Sequence, residues 1–294
     1  MALRDSLLRR SALAPFAVAL VLFAALAFAL RRAAARARGV PLSPLTAGRR
    51  VGADYPERRG IVADGEVRGE MDDLREFAGP DFDPGAVHPA VRNFYERTAD
   101  YELAYEVRWH RPFRLGAALA AGLTGRVEQL NLPGPGESGV RELDSRFARV
   151  DPDVDPRSGA RAWVRTRGDG TAVFVAIYAH HERGGTRYVN IAVPLPGANL
   201  STVLRPENLA DGTDGLELTT LGGSSDETDG DEGLFLATPL GNLALPLDQR
   251  FRVRPREEAP DAAGVEATHE MWAFGRRFLT IRYTGRNARD GDRS

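Results

Sequence analysis

Histidine is the side chain whose proton moves most easily near neutral pH, and three of the five in this chain stand where strands are expected. His180 and His181 are adjacent and precede Glu182, and His269 directly precedes Glu270. Along a strand, alternation sends His180 to the side of Phe174 and Tyr178, and His181 to the side of Val175 and Ile177. By the same rule His269 goes with Val265, Ala267 and Met271, and Glu270 with Trp272. Neighbours on opposite faces do not readily share a metal ion, so hydrogen-bonded sheet histidines are the expected outcome. A hydrolase built from His180, His181, His269 and Glu270 requires the fold to bring them together.

Acidic clusters offer little more. Asp151, Asp153 and Asp155 have the odd-position spacing of loop calcium ligands, but Pro156 stands where the turn glycine is needed and no Glu closes the set. The run DETDGDE, 226–232, reads as a solvated loop between strands. All 39 basic residues are Arg, so neither a P-loop lysine nor a Schiff base is available. The absence of Cys removes thiolate nucleophiles, disulfides and Cys-ligated zinc. With no G-x-S-x-G and no H-E-x-x-H, no catalytic or metal-binding residue is assigned, no cofactor is implied and no enzyme class is claimed.

A binding function remains. Tyr95, Tyr105, Trp109, Tyr178 and Trp272 are large aromatics that would line the concave face of a curved sheet and hold a hydrophobic or lipid-like small molecule. The plainer alternative is that all five are ordinary core. A third reading is a scaffold or assembly partner for another membrane protein, contacted through a sheet edge or the acidic face; no particular protein partner is indicated.

The elements that must place these residues follow from periodicity. Pro89 suits the first position of a helix, and Val91, Phe94, Tyr95 and Thr98 recur at helical spacing. The period then becomes two: Tyr101, Leu103, Tyr105, Val107 and Trp109 alternate with polar residues, as in an antiparallel sheet with one wet face. Pro112 to Gly125 is too short to span a bilayer and too apolar for a loop. It is expected to be a core helix covering the sheet, the alternative being a helix lying on a membrane surface. The segments HPAVRNFYERTADYEL and VEQLNLP, with the Trp109 region between them, resemble an uncharacterised prokaryotic family with an FYE-x-T…Y-x-L…QLNLP pattern. The resemblance spans roughly residues 88–133 and implies a domain beginning near residue 88, with no activity attached.

Beyond residue 145 strands dominate, with candidates at 160–166, 171–180, 186–193, 215–221, 233–238, 242–245, 250–254, 264–273 and 277–284. ANLSTVLRPENL, 198–209, reads as a short helix or ordered loop. The expected class is α+β: an N-terminal transmembrane helix, then a curved antiparallel sheet or open barrel with a few packed helices.

Ala12 to Leu30 is uncharged and would reach about 28 Å as a helix, close to the thickness of a bilayer core. The basic start MALRDSLLRR and the Ala27-Phe28-Ala29 triplet also suit a cleaved signal peptide, but the run is long for one and Arg31-Arg32 follows, so a retained single-pass anchor is expected. The arginine-richer flank follows the run, which puts the body on the cytoplasmic side of the cell membrane. Residues 1–38 carry seven Arg and one Asp, leaving −8 for the rest. A net-acidic body without a basic stripe argues against nucleic acid, and leaves the lipid bilayer as the expected partner. The domain plan is 1–38 anchor, 39–85 extended solvated linker in which 70–78 reads as a short helix with Met71, Leu74 and Phe77 near one face, 86–286 one α+β domain and 287–294 disordered tail.

Overall fold

The structure, a computed structural model, describes residues 2–222, 230–256 and 264–288. Most of the acidic run at 226–232 and of the expected tail lies outside them. Helix α1 (Ala2–Arg36) contains Val18–Arg36, a stretch long and apolar enough to cross a membrane and not buried within the molecule. The α+β expectation holds: behind this helix stands an antiparallel β structure with a few helices.

Twelve strands form it: β1 (Tyr101–Trp109), β2 (Arg141–Arg149), β3 (Ser158–Thr166), β4 (Ala172–Arg183), β5 (Thr186–Leu195), β6 (Ala198–Asn208), β7 (Leu216–Thr219), β8 (Gly233–Thr238), β9 (Gly241–Leu245), β10 (Leu247–Pro255), β11 (Gly264–Ala273) and β12 (Arg276–Asn287). Their order is β5-β4-β3-β2-β1-β12-β11-β10-β7-β6, and β6 pairs back onto β5. Ten strands therefore close into a barrel rather than an open sheet, with the β8–β9 hairpin added along β6. The element that closes the ring is the one read as a helix or loop. β6 pairs with β5 through Ala198–Leu204 and then with β7 through Arg205–Asn208. Closure leaves the barrel without the open sheet edges that would invite pairing with another chain.

Alternation sorts residues into two cores. Tyr101, Leu103 and Tyr105 of β1, Trp163 of β3, and Ala176 and Tyr178 of β4 point into the lumen. Val175, Ile177 and Ala179 of β4, with Ala162 and Val164 of β3, point outward and are buried too. Their cover is Leu45, Ala47, Val51, Tyr55 and Ile61, so the segment expected as a solvated linker is instead strapped to the barrel wall. Its backbone is fastened at several points: Ala47 N–H to Leu195 O at 2.9 Å, Val51 N–H to Val127 O at 2.8 Å and Ala63 N–H to Arg149 O at 3.0 Å. Each buried aliphatic here is worth about 1.5–3 kcal/mol against solvent exposure, enough to hold an aperiodic stretch against its chain entropy.

The strap continues into one end of the barrel. Met71, Leu74 and Phe77 join the lumen core, and α3 (Pro89–Glu96) adds Val91, Phe94 and Tyr95 beside them. Strap and helix meet so closely that a Cβ on Gly69 would lie 2.3 Å from the Tyr95 carbonyl oxygen; only glycine passes there. At the other end the β1–β2 connection forms α4 (Arg114–Val127); the short turn Tyr55–Arg58 within the strap is α2. The helix is not the core cover expected of its composition. Ala117 is its one buried residue, while Leu115, Leu119 and Leu123 are 79, 84 and 64% exposed.

Candidate functional site

The lumen holds a cavity of about 50 Å³, room for a few water molecules. Barrel strands supply Trp163 and Arg165 of β3, Tyr178 of β4, Phe251 of β10 and Tyr283 of β12, and the end plug supplies Glu70 and Tyr95. Phe251 stacks on His269 with ring centroids 3.6 Å apart.

Arg165 is the central charge. It is 9% exposed and lies 4.0 Å above the Trp163 ring and 4.3 Å above the Phe174 ring, with the hydroxyls of Tyr178 and Tyr283 beside it. Among the described residues no carboxylate lies within salt-bridge distance of it, and its Nε has no hydrogen-bond partner. Burying a cation this way is costly, and the two ring faces repay only part of the loss.

Burial dominates the titration of everything else in the lumen. It pushes Glu70 up to about 7, with Arg165 and Arg161 pulling the other way. Burial, aided by the charge of Arg165, drives His269 down to about 3, so that imidazole is neutral; its Nε2 meets Gln249 Oε1 at 2.8 Å. Tyr95, Tyr178 and Tyr283 are all raised by burial and stay protonated. The chamber thus offers one fixed cation, neutral donors and a carboxyl that changes charge near physiological pH.

Glu70 is placed by a clasp. Arg161, 1% exposed, donates to Asp72 at 3.0 and 2.8 Å, to Gly69 O at 3.3 Å and to Gly159 O at 2.9 Å, tying the strap to β3 on both sides of Glu70. The hydrogen bonds of this guanidinium hold the Asp72 carboxyl below the usual range. Arg161→Ala is expected to cost about 2 kcal/mol. Limited proteolysis should then cut between residues 62 and 86 at protease levels that leave the wild type intact; equal resistance would contradict the clasp.

Of the aromatics chosen from sequence, the structure brings Tyr95 and Tyr178 together at the cavity. Tyr105 is buried and stacks on Tyr283 at 6.3 Å without lining the cavity. Trp109 packs on Phe278 and donates to Pro133 O at 2.8 Å, and Trp272 carries Arg250 at 5.4 Å from its ring. The sequence reading missed Glu70 and Arg165. Arg165 had a signal, a charge sharing a strand face with Trp163; Glu70, inside an apparent linker, had none.

The histidines do not converge. His180 sits edge-on to Phe77 at 5.6 Å. His181 binds Asn190 at 2.8 Å and Asp231 at 2.9 Å, where Arg183 also grips Asp231 at 2.7 Å. His269 belongs to the lumen, and Glu270 is held by Arg250, Arg252 and Arg277 around a second, outward pocket. The acids at 151–155 serve the fold: Asp155 is fully buried against Arg157 and Ser43, and Asp151 accepts from Asp153 N–H. Among the described residues no group of three or more His, Asp or Glu is arranged to hold a metal ion.

Against known proteins, the chain is 30% identical over 236 residues to a Bacillus subtilis (strain 168) protein named "Uncharacterized membrane protein YndJ". The match takes in 80% of this chain and 41% of that relative, so the chain spans well under half the length of the protein it resembles. No protein-family model matches the chain. No solved structure matches it.

Proposed function

We propose that this chain is a single-pass, membrane-anchored protein whose barrel binds an amphipathic acid, with the acidic head at Arg165 and the apolar part in the lumen. The observation that carries the binding reading is the guanidinium of Arg165, desolvated between two aromatic rings and facing a cavity whose single lining carboxyl, Glu70, lies beyond salt-bridge distance. An anionic head would supply the missing counter-charge, the neighbouring tyrosine hydroxyls and a protonated Glu70 would donate to it, and the apolar lining would take its body. The cavity, about 50 Å³, is smaller than the roughly 300–1,000 Å³ of typical ligand sites. A long ligand therefore enters by displacing the Glu70 strap, which is the part of the wall not built from barrel strands. The apolar helix at Val18–Arg36 and the membrane-protein name of the relative support the anchor, and the arginine balance across the helix favours a cytoplasmic body.

The test is extraction of bound small molecules from the full chain purified in detergent, read by mass spectrometry. Wild-type protein is expected to carry a carboxylate- or phosphate-bearing amphiphile that Arg165→Met lacks. Because the substitution removes an unpaired buried charge, the melting temperature should hold or rise while the ligand is lost. Clean wild-type protein, or an equal load on Arg165→Met, would overturn the proposal.

A further inference from the structure

The exposed leucines of α4 stand four residues apart, at 115, 119 and 123, and form one stripe along the helix. Two other large apolar side chains stand free at turns: Leu240 between β8 and β9 is fully exposed, and Phe274 between β11 and β12 is 80% exposed.

Topology puts all of them at one end of the barrel. β1 runs into α4 while pairing antiparallel with β12, so the start of α4 and the Phe274 turn lie beside each other, and Phe113 contacts Phe278 at 5.8 Å. Phe274 N–H bonds Pro246 O at 3.0 Å, at the joint where β9 runs into β10. The β8–β9 hairpin therefore projects past this same end, with Leu240 at its tip. Helix α1 packs along β9, and Arg36 at its last turn donates to Gly230 O at 2.6 Å and Glu232 O at 2.8 Å, at the base of the hairpin. The apolar part of α1 thus leaves the body past the hairpin tip, at the end of the barrel where α4 begins.

Charge agrees with this placement. Arg111, Arg114 and Arg126 flank the leucine stripe and Arg276 follows Phe274; none of these exposed guanidiniums has a carboxylate partner among the described residues, and α4 contains no acid. An apolar stripe edged by unpaired arginines matches an anionic headgroup layer over acyl chains.

We infer that α4, with the Phe274 and Leu240 turns, lies in the headgroup–acyl boundary of the bilayer that α1 crosses, giving the barrel a second, interfacial membrane contact that fixes its tilt. The inference rests on the proposed anchor. Its occupant is an anionic lipid surface.

Because the chain has no cysteine, single labelling sites can be introduced without background. Full-length Leu119→Cys, Leu22→Cys and Glu182→Cys proteins would be labelled with an environment-sensitive fluorophore and reconstituted in phosphatidylglycerol-containing vesicles with or without brominated lipid. Label at 119 is expected to shift to the blue and lose most of its emission to the brominated lipid, as label at 22 in α1 does, while label at 182 on the β4–β5 hairpin stays in water. Quenching at 22 with a water-exposed 119 would overturn the interfacial contact and leave the anchor standing. A 119 label shielded from water yet untouched by brominated lipid would point to a second copy of the chain and would also overturn it. No quenching at 22 would remove the anchor and this inference with it.

Discussion

Glu70→Gln is expected to make the protein more stable at pH 8 and to leave it nearly unchanged at pH 4. The buried carboxyl is pushed from an ordinary 4.5 up to about 7. Below pH 4.5 the carboxyl is protonated in both folded and unfolded chains and contributes no difference. Between pH 4.5 and 7 the unfolded chain gives up its proton while the folded chain keeps it, so stability falls as pH rises, and above 7 the loss is complete. At 1.36 kcal/mol per pH unit the full loss is about 3 kcal/mol, or roughly 6–12 °C in Tm for a body of this size. His269, driven down to about 3, acts in the opposite sense, losing stability as pH falls from 6.5 toward 3. That contribution is common to both proteins and cancels in the difference between them. Thermal unfolding of wild type and Glu70→Gln across pH 4 to 9 should show a gap opening between 4.5 and 7; parallel curves would contradict a desolvated carboxyl.

Asp155→Ala is expected to cost about 3–5 kcal/mol, the largest effect of a single substitution considered for this molecule. The carboxylate is fully buried and accepts from Arg157 Nε at 2.9 Å, Arg157 Nη2 at 2.7 Å and Ser43 Oγ at 2.7 Å. Burial alone would raise its pKa, but the hydrogen bonds and charge of Arg157 overcome that and hold it below the usual range. Removing it strands a guanidinium that is 3% exposed at its side chain, and frees the strap at Ser43 as well. The double variant Asp155→Ala/Arg157→Met should recover a large part of the loss, because no uncompensated charge remains. Urea unfolding of the two single variants and the double variant measures both; a cost below about 1 kcal/mol for Asp155→Ala would contradict the buried pair.

Where the sequence was legible, one physical pattern acted alone. β1 was plain because Tyr101, Leu103 and Tyr105 face the lumen and Glu102 and Glu106 face water. β4 was legible as a strand, and its outer face is dry because residues 45–61 lie on it. That strap was illegible: Val51, Tyr55 and Ile61 follow no period, since each fits a hollow that exists only once the barrel is closed. β6 lost its strand signature because Asn199, Ser201 and Arg205 carry buried polar contacts and Pro206 sits where its pairing passes from β5 to β7. α4 was apolar enough to be read as core, yet its leucines face outward, and hydropathy does not tell a protein interior from a lipid surface. The lumen cavity was half legible: Tyr95 and Tyr178 were found through periodicity, and Arg165 and Glu70 were not.

The most direct test is the titration of the Glu70 carboxyl itself, followed by carbon-13 NMR of glutamate-labelled full-length chain and assigned by the signal missing in Glu70→Gln. A midpoint near 7 is the result of a carboxyl desolvated at the lumen cavity that Arg165 also lines. A midpoint at the ordinary glutamate value near 4.5 would mean that water reaches it, and that the barrel encloses no such chamber.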